Sequence, residues 1–134
     1  MNMKKQPFIE TSRKIAGPLQ AIASPPRVAI LLAIGQGEAC VCHLEAVLGW
    51  RQAYISQHLM ALRRSGILTD RRQGRYVYYR LENASLLDLL LAAARLGGLS
   101  AESLSALLQP RMHPACECPH CALTLIPAES LKAT

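Results

Sequence analysis

Large aromatic side chains are scarce in this 134-residue sequence, which contains one Phe and one Trp. A core with so few large rings must be built mainly from Leu, Ile, Val and Ala, and this composition favours packed helices over a large sheet. The sequence also lacks an uninterrupted apolar run of the ~20 residues that a membrane-spanning helix needs. No apolar stretch follows its basic start, as one would in a secretory signal. We therefore expect one mainly helical domain in the cytoplasm, with no membrane partner.

Acidic residues are almost absent from residues 51–80, which hold seven arginines and one acidic residue, Asp70. The net charge of this segment, +6, equals that of the whole chain. Because so local a basic block is an electrostatic footprint for a polyanion, the sequence favours nucleic acid as the partner. A solvated arginine-rich face is the alternative, but it does not explain why the arginines fall on consecutive elements of the chain.

Apolar spacing and turn residues predict a helix-turn-helix within and just before this basic segment. A short helix is predicted over residues 40–48, a turn at Gly49, and a second helix over residues 52–65. β-prone runs over residues 67–72 and 75–81 then flank a glycine-containing turn, which is typical of a β-hairpin. A hairpin in this position is a wing. The fold class expected is therefore a mainly α winged helix-turn-helix with a small β-hairpin.

Two further helices are predicted ahead of this unit. Apolar residues recur at helical spacing from Ile15 to Ile34. Ser24-Pro25-Pro26 divides this stretch into two helices, because Ser24 can cap a helix and a proline fits the first helical turn. Gly35 marks the end of the second helix.

The flanks of the domain differ from its centre in composition. We interpret residues 1–10 as a flexible basic arm, residues 11–109 as the winged domain with its dimerisation helices, and residues 110–134 as an irregular Cys-rich tail, in which prolines oppose a long helix. A helix predicted over residues 85–96 is apolar nearly all round, which favours burial in a subunit interface. A last helix is predicted over residues 101–108.

With these elements in place, the sequence resembles the ArsR/SmtB family of metal-responsive winged-helix repressors over residues 21–81 and through the helix that follows. Residues 23–31 are similar to the first motif of the family, residues 56–68 to its recognition helix and the exit from that helix, and residues 71–81 to its wing. The family's metal box has a counterpart that reads Glu38-Ala39-Cys40-Val41-Cys42-His43-Leu44.

This resemblance implies a homodimer that is paired through its first and last core helices and that leaves duplex operator DNA when an inducer binds. The sequence departs from the family pattern at three positions. His43 replaces the usual Asp of the metal box, Arg51 stands where the recognition helix generally has a Ser or Thr cap, and Tyr54 occupies a position usually held by a small residue. The last two changes leave open which base sequence is read.

Candidate DNA contacts lie on the predicted recognition helix and around the hairpin. Residues near the N-terminus of such a helix read base edges, while basic groups around it hold phosphates. The candidates for base reading are Gln52, Tyr54, Ser56, Gln57 and His58, and those for phosphate or minor-groove contact are Arg63, Arg64, Arg71, Arg72 and Arg75. For His58, packing within the domain is an equally good interpretation, whereas Tyr78 and Tyr79 are interpreted as structural.

Five cysteines in a chain that we expect to be reduced favour metal ligation over disulfides. Cys40 and Cys42 of the metal box are the candidate sensors, and the tail offers Cys116, Cys118 and Cys121 as further ligands. Residues two apart point ~200° apart around a regular helix. Because both box thiols are placed at a helix start, we expect one ion to bind them only by distorting the first turn.

All-thiolate ligation selects soft ions. Trivalent arsenic or antimony, which bind three sulfurs, is the first choice of inducer, cadmium or lead comes next, and organoarsenicals are a further option; no organic cofactor is expected. The other regulatory site of the family, which has Asp and His ligands on the last dimer helix, is disfavoured because Asp88 stands there without a histidine. Whether His43, His113 or His120 adds a ligand stays open.

Three other functions compete with metal release. Cys118-Pro119-His120-Cys121 has the Cys-x-x-Cys form of thiol oxidoreductases, so a repressor that responds to thiol oxidation or persulfides is one alternative. A thiol oxidoreductase ranks lower because no βαβ context is predicted around the motif, and we expect no enzymatic activity. A structural zinc knuckle in the tail, separate from any sensor, is the third.

Overall fold

The computed structural model describes residues 6–108, 116, 118 and 119, which contain six helices and one three-stranded sheet. The elements in chain order are α1 (Gln6–Ile22), α2 (Pro25–Ile34), β1 (Glu38–Cys40), α3 (Val41–Leu48), α4 (Gln52–Arg64), β2 (Leu68–Gln73), β3 (Tyr76–Leu81), α5 (Ser85–Leu96) and α6 (Ala101–Leu108). The division of the first helical stretch, the helix pair, the hairpin and the last two helices are all confirmed.

The break between α1 and α2 follows from local chemistry. The Ser24 side chain accepts a hydrogen bond from the backbone N–H of Arg27 at 3.4 Å. Pro25 and Pro26 occupy the first turn of α2, where their lack of an N–H costs nothing. At its other end α2 closes on Gly35, as predicted. Capping and turn residues therefore set both ends of this helix.

The main core lies among the helices and consists of aliphatic side chains. From α4 it takes Ile55, Leu59 and Leu62, which recur at helical spacing and are fully buried. Each such side chain stabilises the fold by about 1.5–3 kcal/mol relative to leaving it in water. Since burying this stripe fixes the rotation of α4, the opposite side of the helix must face away from the core.

A short strand that the sequence did not reveal completes the sheet. The strand order is β1-β3-β2 with both pairs antiparallel, and β1 places Cys40 opposite Tyr78 of β3. β2 and β3 form the predicted hairpin, whose turn contains Gly74 at a φ of 61°. A strand of three residues is too short to show an alternating pattern, so β1 had no periodic signal. With the hairpin following α3 and α4, the architecture is a winged helix-turn-helix.

The predicted boundary of the N-terminal arm changes, and most of the predicted tail lies outside the described residues. The structure places residues 6–10 in α1 rather than in a flexible arm, because the helix continues toward the N-terminus on local interactions such as the Glu10–Lys14 pair at 3.9 Å. Residues 1–5 lie outside the described residues. Of the tail assigned to residues 110–134, only positions 116, 118 and 119 are described.

Within the described part of the chain, one bent pair of helices has the length and apolar composition of a membrane-spanning segment. Among the described residues no single helix is long and apolar enough to cross a bilayer. α1 and α2 meet the length and composition criterion only together, and they are bent by 83° at the break between them.

Gly35→Ala is expected to destabilise the fold. Gly35 has a φ of 58° and a ψ of −139°, and a Cβ at this position would lie 2.9 Å from the carbonyl oxygen of Leu108. We expect the free energy of unfolding to fall by about 2–4 kcal/mol, because backbone strain and a clash with main chain add together. Gly37→Ala is the matched control, since a Cβ there meets nothing within 4 Å. Urea unfolding of both variants measures the difference, and equal stabilities would contradict this account of Gly35.

Candidate metal centre and nucleic-acid interface

Four cysteine thiols meet where β1 ends and α3 begins. Cys40 is the last residue of β1, Cys42 lies in the first turn of α3, and Cys116 and Cys118 belong to the described part of the tail. Their sulfur atoms all lie within 4.8 Å of one another. The Sγ of Cys42 is 2.9 Å from that of Cys40 and 3.0 Å from that of Cys116, while the Cys40 and Cys116 sulfurs are 3.6 Å apart. We call these four residues the cysteine site.

Cys40 and Cys42 converge at the start of α3, so the premise that both residues lie on a regular helix is wrong, while the distortion expected on ion binding stays a prediction. The ~200° separation applies only when both residues are helical. Cys40 is instead the N-cap of α3, with an extended backbone at φ −84° and ψ 166°. Because an extended residue can turn its side chain back over the first turn, the two sulfurs come within 2.9 Å of each other while the helix stays regular.

The Cys40 sulfur also caps α3. It accepts a hydrogen bond from the backbone N–H of His43 at 3.4 Å and so satisfies one of the free donors at the helix start. His43 itself is buried, with 5% of its surface exposed. The remaining candidate ligands from the sequence, His113, His120 and Cys121, lie outside the described residues.

Burial keeps the Cys40 thiol protonated. Removal from water is the main reason that the pKa of Cys40 is raised to about 12, and the hydrogen bond with Cys42 acts in the same direction. Cys116 and Cys118 are buried beside it, with 3% and 1% of their surfaces exposed. A cation that binds Cys40 must therefore displace a firmly held proton.

The donor set suits a soft ion held by three or four sulfurs. Thiolates select soft metals and metalloids, whereas magnesium and calcium prefer oxygen ligands. A tetrahedral zinc site with bonds of ~2.3 Å places its sulfurs ~3.8 Å apart. The sulfur pairs at 2.9 and 3.0 Å would have to widen by ~0.8 Å to surround such an ion. The residues present thus fit a thiolate-bound ion after a small expansion.

Tyr78 closes the cysteine site on the side of the sheet. Its side chain is 1% exposed and packs in one cluster with Cys40, Cys116 and Cys118. The structural role predicted for Tyr78 is confirmed. β3, which forms one strand of the wing, therefore contributes directly to the wall of the cysteine site.

The candidate base-reading residues of α4 differ in their exposure. Gln52, Tyr54 and Gln57 are exposed, whereas Ser56 and His58 are half-buried. α4 begins at Gln52, and its N-cap residue Arg51 makes no side-chain cap hydrogen bond, as the replacement of the usual Ser or Thr predicts. Three of the five candidates are accessible to a ligand at this surface, and the other two are partly covered.

Three aromatic rings form a row that runs from Trp50, just before α4, to His58 near the middle of the helix. The centroids of Trp50 and Tyr54 are 5.5 Å apart and those of Tyr54 and His58 4.7 Å apart, and both contacts are edge-to-face. The Nε2 atom of His58 is buried without a hydrogen-bond partner among the described residues. These contacts favour the packing interpretation of His58. The spacing of the three residues by four, which places them on one side of a helix, was the signal in the sequence.

Two of the candidate phosphate ligands are already paired within the chain. Arg63 lies 3.5 Å from a carboxylate oxygen of Asp70. Arg71 donates to the carboxylate of Glu38, with its Nε at 3.0 and 3.1 Å from the two oxygens. Neither pair is visible in the sequence, because the Arg71–Glu38 pair depends on strand register and the Arg63–Asp70 pair on the packing of α4 beside β2. Exposed ion pairs contribute only about 0–1 kcal/mol, so neither pair prevents a phosphate contact.

The three other candidate phosphate ligands, Arg64 of α4 and Arg72 and Arg75 of the hairpin, form no ion pair with the described residues. Arg75 lies over the ring of its neighbour Tyr76 at 5.4 Å. Arg64 and Arg72 are exposed and form no ion pair with the part of the chain that the structure describes. The end of α4 and the hairpin therefore present guanidinium groups to solvent.

The central part of the chain is similar in sequence to known bacterial regulators. The family model described as "Bacterial regulatory protein, arsR family" matches residues 24–70. Over 83 residues the chain is 39% identical to the HTH-type transcriptional repressor SmtB of Mycobacterium tuberculosis, which covers 62% of each protein. It is 48% identical over 61 residues to the arsenical resistance operon repressor of Escherichia coli, covering 45% of this chain and 52% of that protein. The matched segments thus span only 52–62% of these curated relatives.

A solved structure extends the similarity to nearly a whole protein. Reduced HlyU from Vibrio cholerae superposes with a TM-score of 0.62 at 31% sequence identity. The match covers 68% of this chain and 96% of HlyU.

The raised pKa of Cys40 predicts a loss of stability in alkali. A buried thiol whose pKa is about 12 when folded and near 9.0 in the reference state favours the folded protein while it is protonated. This contribution is complete below about pH 9 and is lost as the pH rises toward 12. Without metal, the free energy of unfolding should therefore fall more steeply above about pH 9 in the wild type than in Cys40→Ser, where the hydroxyl keeps the cap. Urea unfolding across this range measures both slopes, and identical slopes would contradict the burial argument.

Proposed function

The chain belongs to the arsR family of bacterial regulatory proteins, and from this premise we propose that it is a transcriptional repressor that a thiophilic metal or metalloid ion releases from operator DNA. The observation that carries the proposal is the convergence of four thiols beside the sheet that bears the wing arginines. A relative named for arsenical resistance supports the same class of function. The relatives described above are regulators, so no enzymatic reaction is proposed.

The proposed DNA complex is a homodimer on duplex DNA. One α4 and one hairpin provide few contacts, and a two-fold dimer doubles them on an inverted repeat whose half-sites lie about one helical turn apart. α1 supports a dimer because several of its apolar side chains find little cover in the chain itself: Phe8, Ile9, Ile15 and Leu19 are between 42% and 79% exposed. Leu96, at the end of α5, is 92% exposed and adds to the apolar surface that a second copy would cover.

Among soft ions, we place trivalent arsenic or antimony first and cadmium or lead next. Cys40, Cys42 and Cys116 form a triangle with edges of 2.9, 3.0 and 3.6 Å, which suits an ion bound by three sulfurs. Cys118 adds a fourth donor within 4.8 Å, which suits a tetrahedral ion such as cadmium. Similarity to the arsenical resistance operon repressor favours the first choice.

Release by thiol oxidation is a second candidate function. Cys42 is half-buried, and its sulfur lies 3.0 Å from that of Cys116. Two thiols this close form a disulfide when an oxidant removes two electrons and two protons. The two functions are distinguished by adding arsenite or cadmium without oxidant, and an oxidant with a chelator, to the DNA complex.

Replacing wing arginines should weaken binding to every DNA sequence. Arg72→Ala and Arg75→Ala are expected to lower affinity for operator and random duplex alike and to reduce the salt slope by ~0.9 for each lost phosphate contact. Gln57→Ala should instead cost about 1–3 kcal/mol, and only at its own base pair. Arg95→Ala, which removes an exposed arginine at the end of α5, is the control for general charge. Fluorescence anisotropy at several salt concentrations tests these roles, and equal losses from Gln57→Ala on both duplexes would contradict base reading.

Replacing the box thiols should abolish release while leaving DNA binding without metal nearly intact. In the wild type, saturating arsenite or cadmium should lower operator affinity by at least ~100-fold, near the upper end of usual allosteric couplings. Cys40→Ser and Cys42→Ser should reduce this factor to about one, because each removes a thiolate from the centre of the site. Neither residue lies on α4, so the affinity of the metal-free protein should change little. Titration of the DNA complex measures the factor.

A truncated chain provides the control for the tail thiols. Truncation after residue 110 removes Cys116, Cys118 and Cys121, and it should weaken or abolish release if the tail supplies ligands. A truncated protein that leaves DNA at the same arsenite or cadmium concentration would exclude the tail thiols from sensing. An undiminished response to arsenite or cadmium in the Cys40/Cys42 double variant would contradict the proposed site and move sensing to the tail.

A further inference from the structure

Three residues on three different strands form a row across the sheet. Cys40 of β1 stands opposite Tyr78 of β3, and Tyr78 stands opposite Arg71 of β2. Direct neighbours on adjacent strands project to the same face of a sheet. The row therefore begins at a thiol of the cysteine site and ends at an arginine of the wing.

Side-chain contacts run along this row without a gap. Tyr78 packs against the thiols of the cysteine site, and the guanidinium carbon of Arg71 lies 4.6 Å from the centroid of the same ring. The Tyr78 ring is 1% exposed and contacts both Arg71 and the thiols. A displacement of the ring would therefore be felt by Arg71.

A second contact ties the same arginine to the strand that carries Cys40. Glu38 lies two residues before Cys40, so both side chains project to one face of β1. Its carboxylate accepts hydrogen bonds from Arg71 Nε at 3.0 and 3.1 Å, and Arg71 Nη2 also donates to it. This pair spans β3 and links the two outer strands of the sheet directly. The forked guanidinium gives the link a fixed geometry that a lysine would lack.

We propose that Arg71, held by Glu38 and by the Tyr78 ring, is the positioning residue that transmits the effect of ion binding at the cysteine site to the wing. This inference rests on the proposed function. An ion bound by these thiols would fix the spacing and direction of their sulfurs, and this rearrangement would act on Tyr78, which packs against them, and on the end of β1, which carries Cys40. Both supports of Arg71 then move together, and β2 moves with them. Small shifts are amplified where a packed interface has two arrangements.

Arg72 provides a matched control on the next residue of the same strand. It stands opposite Val77 and so projects to the other face of the sheet, away from the row. It forms no ion pair with the described residues. The two arginines carry the same charge on neighbouring residues of β2, so they differ mainly in whether they contact Tyr78 and Glu38.

The test compares Arg71→Gln, Glu38→Gln and Arg72→Gln with the wild type in the full chain. Three quantities are measured: operator affinity without metal, operator affinity with saturating cadmium, and cadmium binding followed by thiolate-to-metal absorption. We expect the first two variants to bind cadmium normally while the ratio of the two operator affinities falls from at least ~100-fold to below ~10-fold. Arg72→Gln should lower both operator affinities by the same factor and leave their ratio unchanged.

Each contrary result has a separate meaning. Ratios within twofold of the wild type in both Arg71→Gln and Glu38→Gln would overturn the link while leaving metal release intact. A loss of cadmium binding in Glu38→Gln would also overturn it, because Glu38 would then belong to the ion site itself. A wild type that binds cadmium but keeps its operator affinity would contradict the proposed function, and with it the link.

Discussion

The antiparallel pairing of Cys40 with Tyr78 is the constraint on which the rest of this structure depends. It holds Cys40 in an extended conformation at the end of β1, and that conformation lets its sulfur both cap α3 and approach Cys42. The same pairing makes the ring of Tyr78 a wall of the cysteine site. If residue 40 were instead in the first turn of α3, the two box thiols would diverge and the hairpin would lose its contact with them.

The sequence predicts the fold correctly where a periodic pattern extends over many residues. The stripe of Ile55, Leu59 and Leu62 defined α4, and the β-prone runs around Gly74 defined the hairpin. It failed at β1, since three residues carry no pattern and the strand exists only because β3 offers it a partner. The error about Cys40 followed from that omission, because a residue assigned to the helix was in fact the cap before it. The fold brings together four of the five candidate thiols, Cys40, Cys42, Cys116 and Cys118, in a geometry that required the tertiary structure, and their binding of an ion stays a prediction.

The partners of the arginines also could not be predicted from the sequence. The sequence located a basic block but treated its arginines alike, whereas the fold separates them by the groups that strand register brings nearby. Arg71 meets Glu38 because β1 and β2 flank the same strand, and Arg63 meets Asp70 across the junction of α4 and β2. Arg72, one position from Arg71, points to the opposite face. Neighbouring residues of one type can therefore serve different purposes, and only the register distinguishes them.

The cysteine site also joins parts of the chain that are distant in sequence. Cys42 and Cys116 are 74 positions apart, and Cys40 and Cys116 are 76 apart, yet their sulfurs lie 3.0 and 3.6 Å from each other. An ion bound to both segments would cross-link them and favour whichever conformation of the domain lets them meet. Such an ion can act on DNA only to the extent that the DNA-bound conformation holds these segments differently, since a ligand shifts an equilibrium only by its difference in affinity for the two states. Because Cys40 lies on a strand of the sheet that bears the wing, the proposed release requires that a change at the ion and a change at the DNA belong to one structural change.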